Sequence, residues 1–129
     1  MTRILVVDDN YVIRSALRQM IQTRQSWEVC GEGKDGHEAV VKHAELNPNI
    51  VVMDIDMPTL NGLQAARQIL KNHPSACILI LSIFDSAAIV EEVKKAGIKG
   101  FCSKNTMGSF FDAVETLLRG ETYFLRPAI

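Results

Sequence analysis

The 129-residue chain has little cysteine: Cys30, Cys77 and Cys102, an odd number set far apart. Disulfide frameworks and thiolate zinc sites need close pairs, so the three read as reduced core residues beside apolar runs. Neither sign of charge dominates, since 14 Lys and Arg face 15 Asp and Glu for a formal net charge of −1. That balance supplies no basic footprint for nucleic acid or an anionic membrane surface, so any DNA-related role must lie outside this chain. No apolar run approaches the ~20 residues of a membrane span, and the N-terminus lacks a signal-peptide pattern. The expected location is cytoplasmic, away from any membrane. Glycine-rich phosphate loops, Ser/His/Asp arrangements and Cys/His pairs are also missing. His37, His43 and His73 share no ligand spacing and are expected at the surface, while Met20, Met53, Met57 and Met107 read as packing residues.

What is present is an apolar content of 47%, enough for one core in a chain of common domain size. Residues 4–7, 50–53 and 77–81, and more weakly 98–102, form continuous apolar runs, which suit strands covered on both faces. Residues 27–31 alternate instead and look like an edge strand. Helical periodicity fills the gaps. Ile13, Ala16, Leu17, Met20 and Ile21 mark one helix, and Phe110, Ala113, Val114, Leu117 and Leu118 another. Between them, Asp35 and Glu38 have capping-box spacing ahead of Val40, Val41 and Ala44; Leu63, Ala66 and Leu70 run up to Pro74; Ile89, Val90 and Val93 follow Ser86. Gly97 and Gly120 stand where helix C-termini favour positive φ. Five strands alternating with five helices predict an α/β fold, a doubly wound five-stranded parallel sheet with helices on both faces. Residues 1–120 read as one domain and 121–129 as an exit segment or the start of a linker to an absent output domain.

Open parallel sheets bind ligands beyond the carboxyl ends of their strands. Here the first strand delivers Asp8 and Asp9, the third Asp54 and then Asp56, the fourth Ser82 and the fifth Lys104. Converging carboxylates repel one another, and a hard divalent cation such as Mg²⁺ relieves the repulsion. A hydroxyl and an ammonium alongside suit a transferring phosphoryl group with several anionic oxygens. Each residue alone has a plainer reading. Asp8, Asp9 or Asn10 could cap the helix starting near Tyr11, Ser82 could be a satisfied strand-end hydroxyl, and Lys104 a solvated loop lysine. Their coincidence at four strand ends favours a site.

With those residues in place, residues 4–118 resemble the receiver domain of bacterial two-component response regulators. The resemblance rests on Val7-Asp8-Asp9, on Met53-Asp54 followed by Met57-Pro58 and Asn61-Gly62, on Ser82, and on Gly100-Phe101-Cys102-Ser103-Lys104. It implies the flavodoxin-like (CheY-like) strand order 2-1-3-4-5 and a phosphorylation switch with Asp54 as phosphoacceptor, a sensor histidine kinase as partner and Mg²⁺ or Mn²⁺ as cofactor. Asp9 and Asp54 would bind the metal directly, Asp56 through its backbone carbonyl and Asp8 through water. Ser82 and Lys104 would hold the phosphoryl oxygens, and Phe101 would turn inward with Ser82 as the switch aromatic. The chain would act as a signalling phosphoacceptor and not as an enzyme on a separate substrate.

Residues 113–124 resemble the final helix and exit of NarL/LuxR-type regulators, in which a helix-turn-helix DNA-binding domain follows, and phosphorylation would favour a homodimer. Three departures from the family pattern stand out. Ile83 follows Ser82 where small residues are frequent; Asn105 follows Lys104 in place of proline, which removes the usual cis peptide bond yet is familiar from the NarL/LuxR-type subfamily; Asp56 puts a carboxylate two residues after the nucleophile. Two alternatives remain at this point. One is a haloacid-dehalogenase-like phosphatase, whose Asp-x-Asp motif Pro58 fits poorly. The other is a pseudo-receiver that keeps the fold without phosphorylation.

Overall fold

The computed structural model describes residues 1–124. Its strands are β1 (Thr2–Val7), β2 (Trp27–Gly33), β3 (Ile50–Asp54), β4 (Ile78–Ser82) and β5 (Gly100–Ser103). The helices are α1 (Tyr11–Gln22), α2 (Gly36–Leu46), α3 (Gly62–Asn72), α4 (Ala87–Lys95) and α5 (Phe110–Leu118), with a 3₁₀ segment, Lys104–Ser109, leading into α5. All strand pairs are parallel, as the alternation of strands and helices predicts, and the order is β2-β1-β3-β4-β5, the order the family resemblance implies.

The two cores show why the strands need continuous apolar runs. Successive strand residues point to opposite faces, and both faces are covered. Leu5, Val7, Val51, Met53, Ile78, Ile80 and Phe101 pack with Ala39 of α2, Ala66 and Ile69 of α3, and Val90 and Val93 of α4. Ile4, Val6, Ile50, Val52, Leu79, Leu81 and Cys102 pack with Leu17 and Ile21 of α1 and with Phe110, Ala113, Val114 and Leu117 of α5. Full burial of one such large side chain contributes roughly 1.5 to 3 kcal/mol, so the two layers dominate the stability. β2 lies at the sheet edge, with only Trp27 and Gly33 buried.

Helix ends follow local chemistry. Asn10 caps α1 by accepting from the Val12 and Ile13 amides, Ser86 caps α4, and Asn61 and Gln64 form a reciprocal capping box on α3. At α2 the Asp35 side chain accepts from the Glu38 amide, but the Glu38 carboxylate reaches the Lys34 amide, so only half of the expected box forms. Gly97 and Gly120 take φ of +83° and +85°, the positive values expected of them.

Three expectations are corrected. His43 is buried, at 3% exposure, and its ring lies 5.1 Å from that of His73, whereas His37 and His73 are exposed as expected. The buried face of α2 is Gly36, Ala39 and His43; Val41 and Ala44 face outward. The rotation follows from Gly36, whose amide donates to the Leu60 carbonyl at 3.0 Å and which has no room for a Cβ beside it. Positions three and seven residues further on then share that inward face. Of the cysteines, all free, only Cys102 is fully buried; Cys30 and Cys77 are half-buried, and burial pushes the Cys77 thiol up to about 11.

After Gly120 the backbone returns to the sheet. Tyr123 bridges Gly100 in parallel, its amide donating to Lys99 and its carbonyl accepting from Phe101 at 2.7 Å, and Phe124 packs on the core. Residues 125–129 of the expected exit segment lie outside the described residues.

Candidate functional site

From β1 the chain winds one way to β2 and then back past β1 to β3, so the crevice of the sheet opens between the C-terminal ends of β1 and β3. Asp8 and Asp9 follow β1 directly, and Asp54 is the last residue of β3. Carboxylate oxygens of the three lie within 4.8 Å of one another, with Asp8 and Asp54 buried and Asp9 exposed. Ser82 ends β4 next door, and Lys104 leaves β5 toward the same crevice. Asp8, Asp9, Asp54, Ser82 and Lys104 thus all lie at one edge of the sheet. Asp56 is the exception in this neighbourhood: it is exposed and outside the group of three.

Each buried carboxylate is held by backbone on one side. The Asn10 amide donates to Asp8 Oδ1 at 2.9 Å, and the Ile55 amide donates to Asp54 Oδ1 at 2.8 Å. The other oxygens face Lys104, whose Nζ lies 2.7 Å from Asp8 Oδ2 and 3.4 Å from Asp54 Oδ2. Burial raises the Asp54 pKa above the ordinary carboxylate range; Lys104 opposes the rise and Asp8 adds to it. One ammonium therefore does not fully compensate the acidic group. A hard cation that takes one or two carboxylates plus water fits this donor set of three oxygen ligands, one of them open to solvent. Ser82 is buried and its Oγ accepts from the Phe84 amide at 3.0 Å, which leaves its own hydrogen to give.

The site is also supported by contacts that no local sequence pattern encodes. Gly62 packs so closely under the end of β3 that an added Cβ would stand 2.0 Å from the Asp54 carbonyl oxygen, and its amide donates to the Ile55 carbonyl at 2.8 Å. Between them Thr59 has φ of +70°, with the Leu60 amide bonded back to Pro58, a tight turn that L-residues rarely adopt. Arg14 on α1 donates from Nη1 to the Asp8 carbonyl at 2.7 Å and pairs through Nε with Glu32 on β2 at 3.3 Å. Asn61-Gly62 belongs to the motif that carries the family resemblance, but neither the backbone approach nor the Arg14 bridge has a local signature. Phe101, expected to turn inward with Ser82, is already fully buried.

The response regulator receiver domain family matches residues 4–115. Over 102 residues the chain is 45% identical to the chemotaxis protein CheY of Thermotoga maritima, covering 79% of this chain and 84% of that protein. It is 31% identical to the transcriptional regulatory protein DegU of Brevibacillus brevis over 94% of this chain and 52% of that protein, so it spans about half of that relative's length. A solved LuxR-family two-component response regulator from Aurantimonas sp. SI85-9A1 superposes with a TM-score of 0.91 at 32% identity, covering 95% of this chain and 88% of that one. No helix among the described residues is long and apolar enough to cross a membrane.

Proposed function

The chain belongs to the response regulator receiver domain family, and from that membership we propose that Asp54 is its phosphoacceptor and a sensor histidine kinase its phosphoryl donor. The observation that carries the assignment is the environment of Asp54 Oδ2, which is 3.4 Å from Lys104 Nζ in a group where Asp8 and Asp9 bring further carboxylate oxygens. In this reading Oδ2 attacks phosphorus while the bond from phosphorus to the donor's histidine nitrogen breaks, its electron pair staying on that nitrogen. Lys104 and the Ser82 hydroxyl donate to the phosphoryl oxygens as charge gathers there.

Asp8, Asp9, Asp54 and the Asp56 backbone carbonyl would hold Mg²⁺ or Mn²⁺. When bound, the ion would screen the carboxylates from the incoming anionic group. The phosphoryl group brings about −1.5 to −2 charge at a site already short of compensation, which draws the Ser82 hydroxyl toward it, with Phe101 already held in the buried position of the switch aromatic. The exposed Asp56 side chain tunes how long the acyl phosphate survives. The protein passes a signal through its own phosphorylation and turns over no separate substrate. Downstream, its likeness to DegU and to the LuxR-family structure supports transcriptional control through a DNA-binding domain outside this chain, with dimerisation through the first or last helix on phosphorylation. The family match leaves the phosphatase alternative without support, and the filled acidic and donor positions count against a pseudo-receiver.

The test is labelling by a phosphorylated histidine kinase or by acetyl phosphate with Mg²⁺. The wild type should gain one phosphoryl group, stable to acid and labile to base. Asp54→Asn should abolish it, and Asp56→Asn should keep it with an altered lifetime. Labelling of Asp54→Asn at the wild-type rate would overturn the assignment.

A further inference from the structure

Ser82 and Ser103 are register partners on adjacent strands, and beyond them the chain diverges into two loops, one leading to α4 and one carrying Lys104. The first loop is open to solvent, with Ile83 and Phe84 exposed at 55% and 56%. Two such loops would ordinarily move independently, because each has few apolar contacts to hold it. Here they are joined. The Ser103 hydroxyl donates to Asp85 Oδ2 at 2.7 Å, and the Asn105 backbone amide donates to Ser103 Oγ at 3.0 Å. The Asn105 side chain donates from Nδ2 to the Ile83 carbonyl at 3.0 Å and to Asp85 Oδ2 at 3.4 Å.

The placement is specific. Residues 83 and 85 directly follow Ser82, and residues 103 and 105 flank Lys104, so the bonded pairs sit beside both donor residues. Asn105 is also the residue that stands where the receiver pattern has proline. Proline has neither an amide hydrogen nor a side-chain donor, so all three of the Asn105 bonds depend on this departure. The Ser103 side chain is fully buried and satisfied by Asp85, and its hydroxyl together with the Asn105 side-chain amide holds the Asp85 carboxyl below its ordinary pKa. The acceptor is therefore charged at neutral pH and the bonds to it are of the stronger, charge-assisted kind.

We propose that Asp85, Ser103 and Asn105 form a clasp that makes the Ser82 loop and the Lys104 loop one unit, so that the hydroxyl and the ammonium meet the transferring phosphoryl group already in register. Asp85 and Asn105 are positioning residues in this account, since both act through Ser82 and Lys104. The inference rests on the phosphoacceptor reading of Asp54. Donors held in place before the reaction cost no reorganisation during it, and small misplacements of such groups are expensive in rate.

The experiment measures phosphorylation of the full chain by acetyl phosphate and Mg²⁺ alongside backbone amide relaxation dispersion of the unphosphorylated protein. Asn105→Ala and Asp85→Ala should each slow labelling by about five- to tenfold with little change in thermal midpoint. The double variant should lose less than the sum of the two single losses, because both act on the same unit. Asp85→Asn keeps an oxygen acceptor for Ser103 and should restore labelling to within about twofold of wild type. Amides of residues 83–85 and 103–106 should share one exchange rate in the wild type and separate into two in Asn105→Ala. Wild-type labelling by both alanine variants, additive losses, or two exchange rates in the wild type would each overturn the clasp. Labelling of Asp54→Asn, or no labelling of the wild type, would instead count against the phosphoacceptor reading, and the relaxation data then decide the clasp alone.

Discussion

Lys104 makes its closer contact with Asp8, 2.7 Å from Oδ2, and its longer one, 3.4 Å, with Asp54. The ammonium is thus a resident cation in a group of three carboxylates, on the buried side of the cluster, with side-chain exposures of 13% for Lys104 and 2% for Asp8. Removing one partner of a buried pair leaves the other charge uncompensated, at a cost of roughly 3 kcal/mol. Lys104→Met should therefore lower stability without Mg²⁺, and Mg²⁺ should recover most of the loss. Thermal melts with and without Mg²⁺ check this: the metal-induced rise should be larger in the variant than in the wild type, while phosphorylation slows.

Gly62 answers to a different constraint. A Cβ at this position would lie 2.0 Å from the Asp54 carbonyl oxygen and 2.9 Å from the Ile55 Cα, backbone atoms that cannot swing aside. The helix start cannot retreat either without losing the Gly62 amide bond to Ile55. Gly62→Ala should cost roughly 2 to 4 kcal/mol in urea denaturation, as overpacking against backbone does. Gly108→Ala is the matched control, since nothing lies within 4 Å of a Cβ there, and it should be close to neutral. Equal effects of the two would refute the close-approach account.

Asp54→Asn should stabilise the metal-free fold at neutral pH. Burial raises the Asp54 pKa and Asp8 raises it further against the pull of Lys104, so the folded protein holds an ionised Asp54 at a cost that the unfolded chain does not bear. Asparagine keeps the oxygen that accepts from Ile55 and drops the charge. The melting temperature should rise by a few degrees at neutral pH. The gain should shrink as pH falls through the Asp54 pKa, because the wild-type carboxyl is then neutral too. Mg²⁺ should stabilise the variant less than the wild type.

How much of the molecule is legible in its sequence depends on where the information sits. The sheet is readable because strands covered on both faces must be apolar at every position, as in residues 50–53, and loops or half-exposed strands leave no such run. The site is readable for the same reason: once the strands are placed, Asp8, Asp54, Ser82 and Lys104 fall at their ends. Contacts made by backbone or across long sequence separations leave no such trace. Gly62 meets a carbonyl, which no side-chain pattern encodes, and Ser103 meets Asp85 across 18 residues. In the sequence Asn105 looks like the loss of a proline, whereas in the fold it supplies three hydrogen bonds. Periodicity alone misplaces the rotation of α2, because Val41 and Ala44 look like better core residues than a histidine.

That histidine makes the stability of the domain depend on pH. His43 is buried in the last turn of α2, facing His73, and its Nδ1 is buried without a hydrogen-bond partner among the described residues. Burial lowers its pKa below the ordinary imidazole value, and the proximity of His73 lowers it further. The unfolded chain, with an ordinary histidine near pH ~6.5, takes up a proton before the folded protein does. Stability is therefore full above the unfolded pKa, and it declines as pH falls from there toward the lower pKa of the folded state. His43→Leu removes both the proton uptake and the orphaned nitrogen at similar volume. It should be neutral or mildly stabilising at about pH 7 and should flatten the loss of stability between about pH 7 and pH 5. Urea denaturation across that range checks it, and a variant with the same acid-side slope as the wild type would assign the loss to other groups.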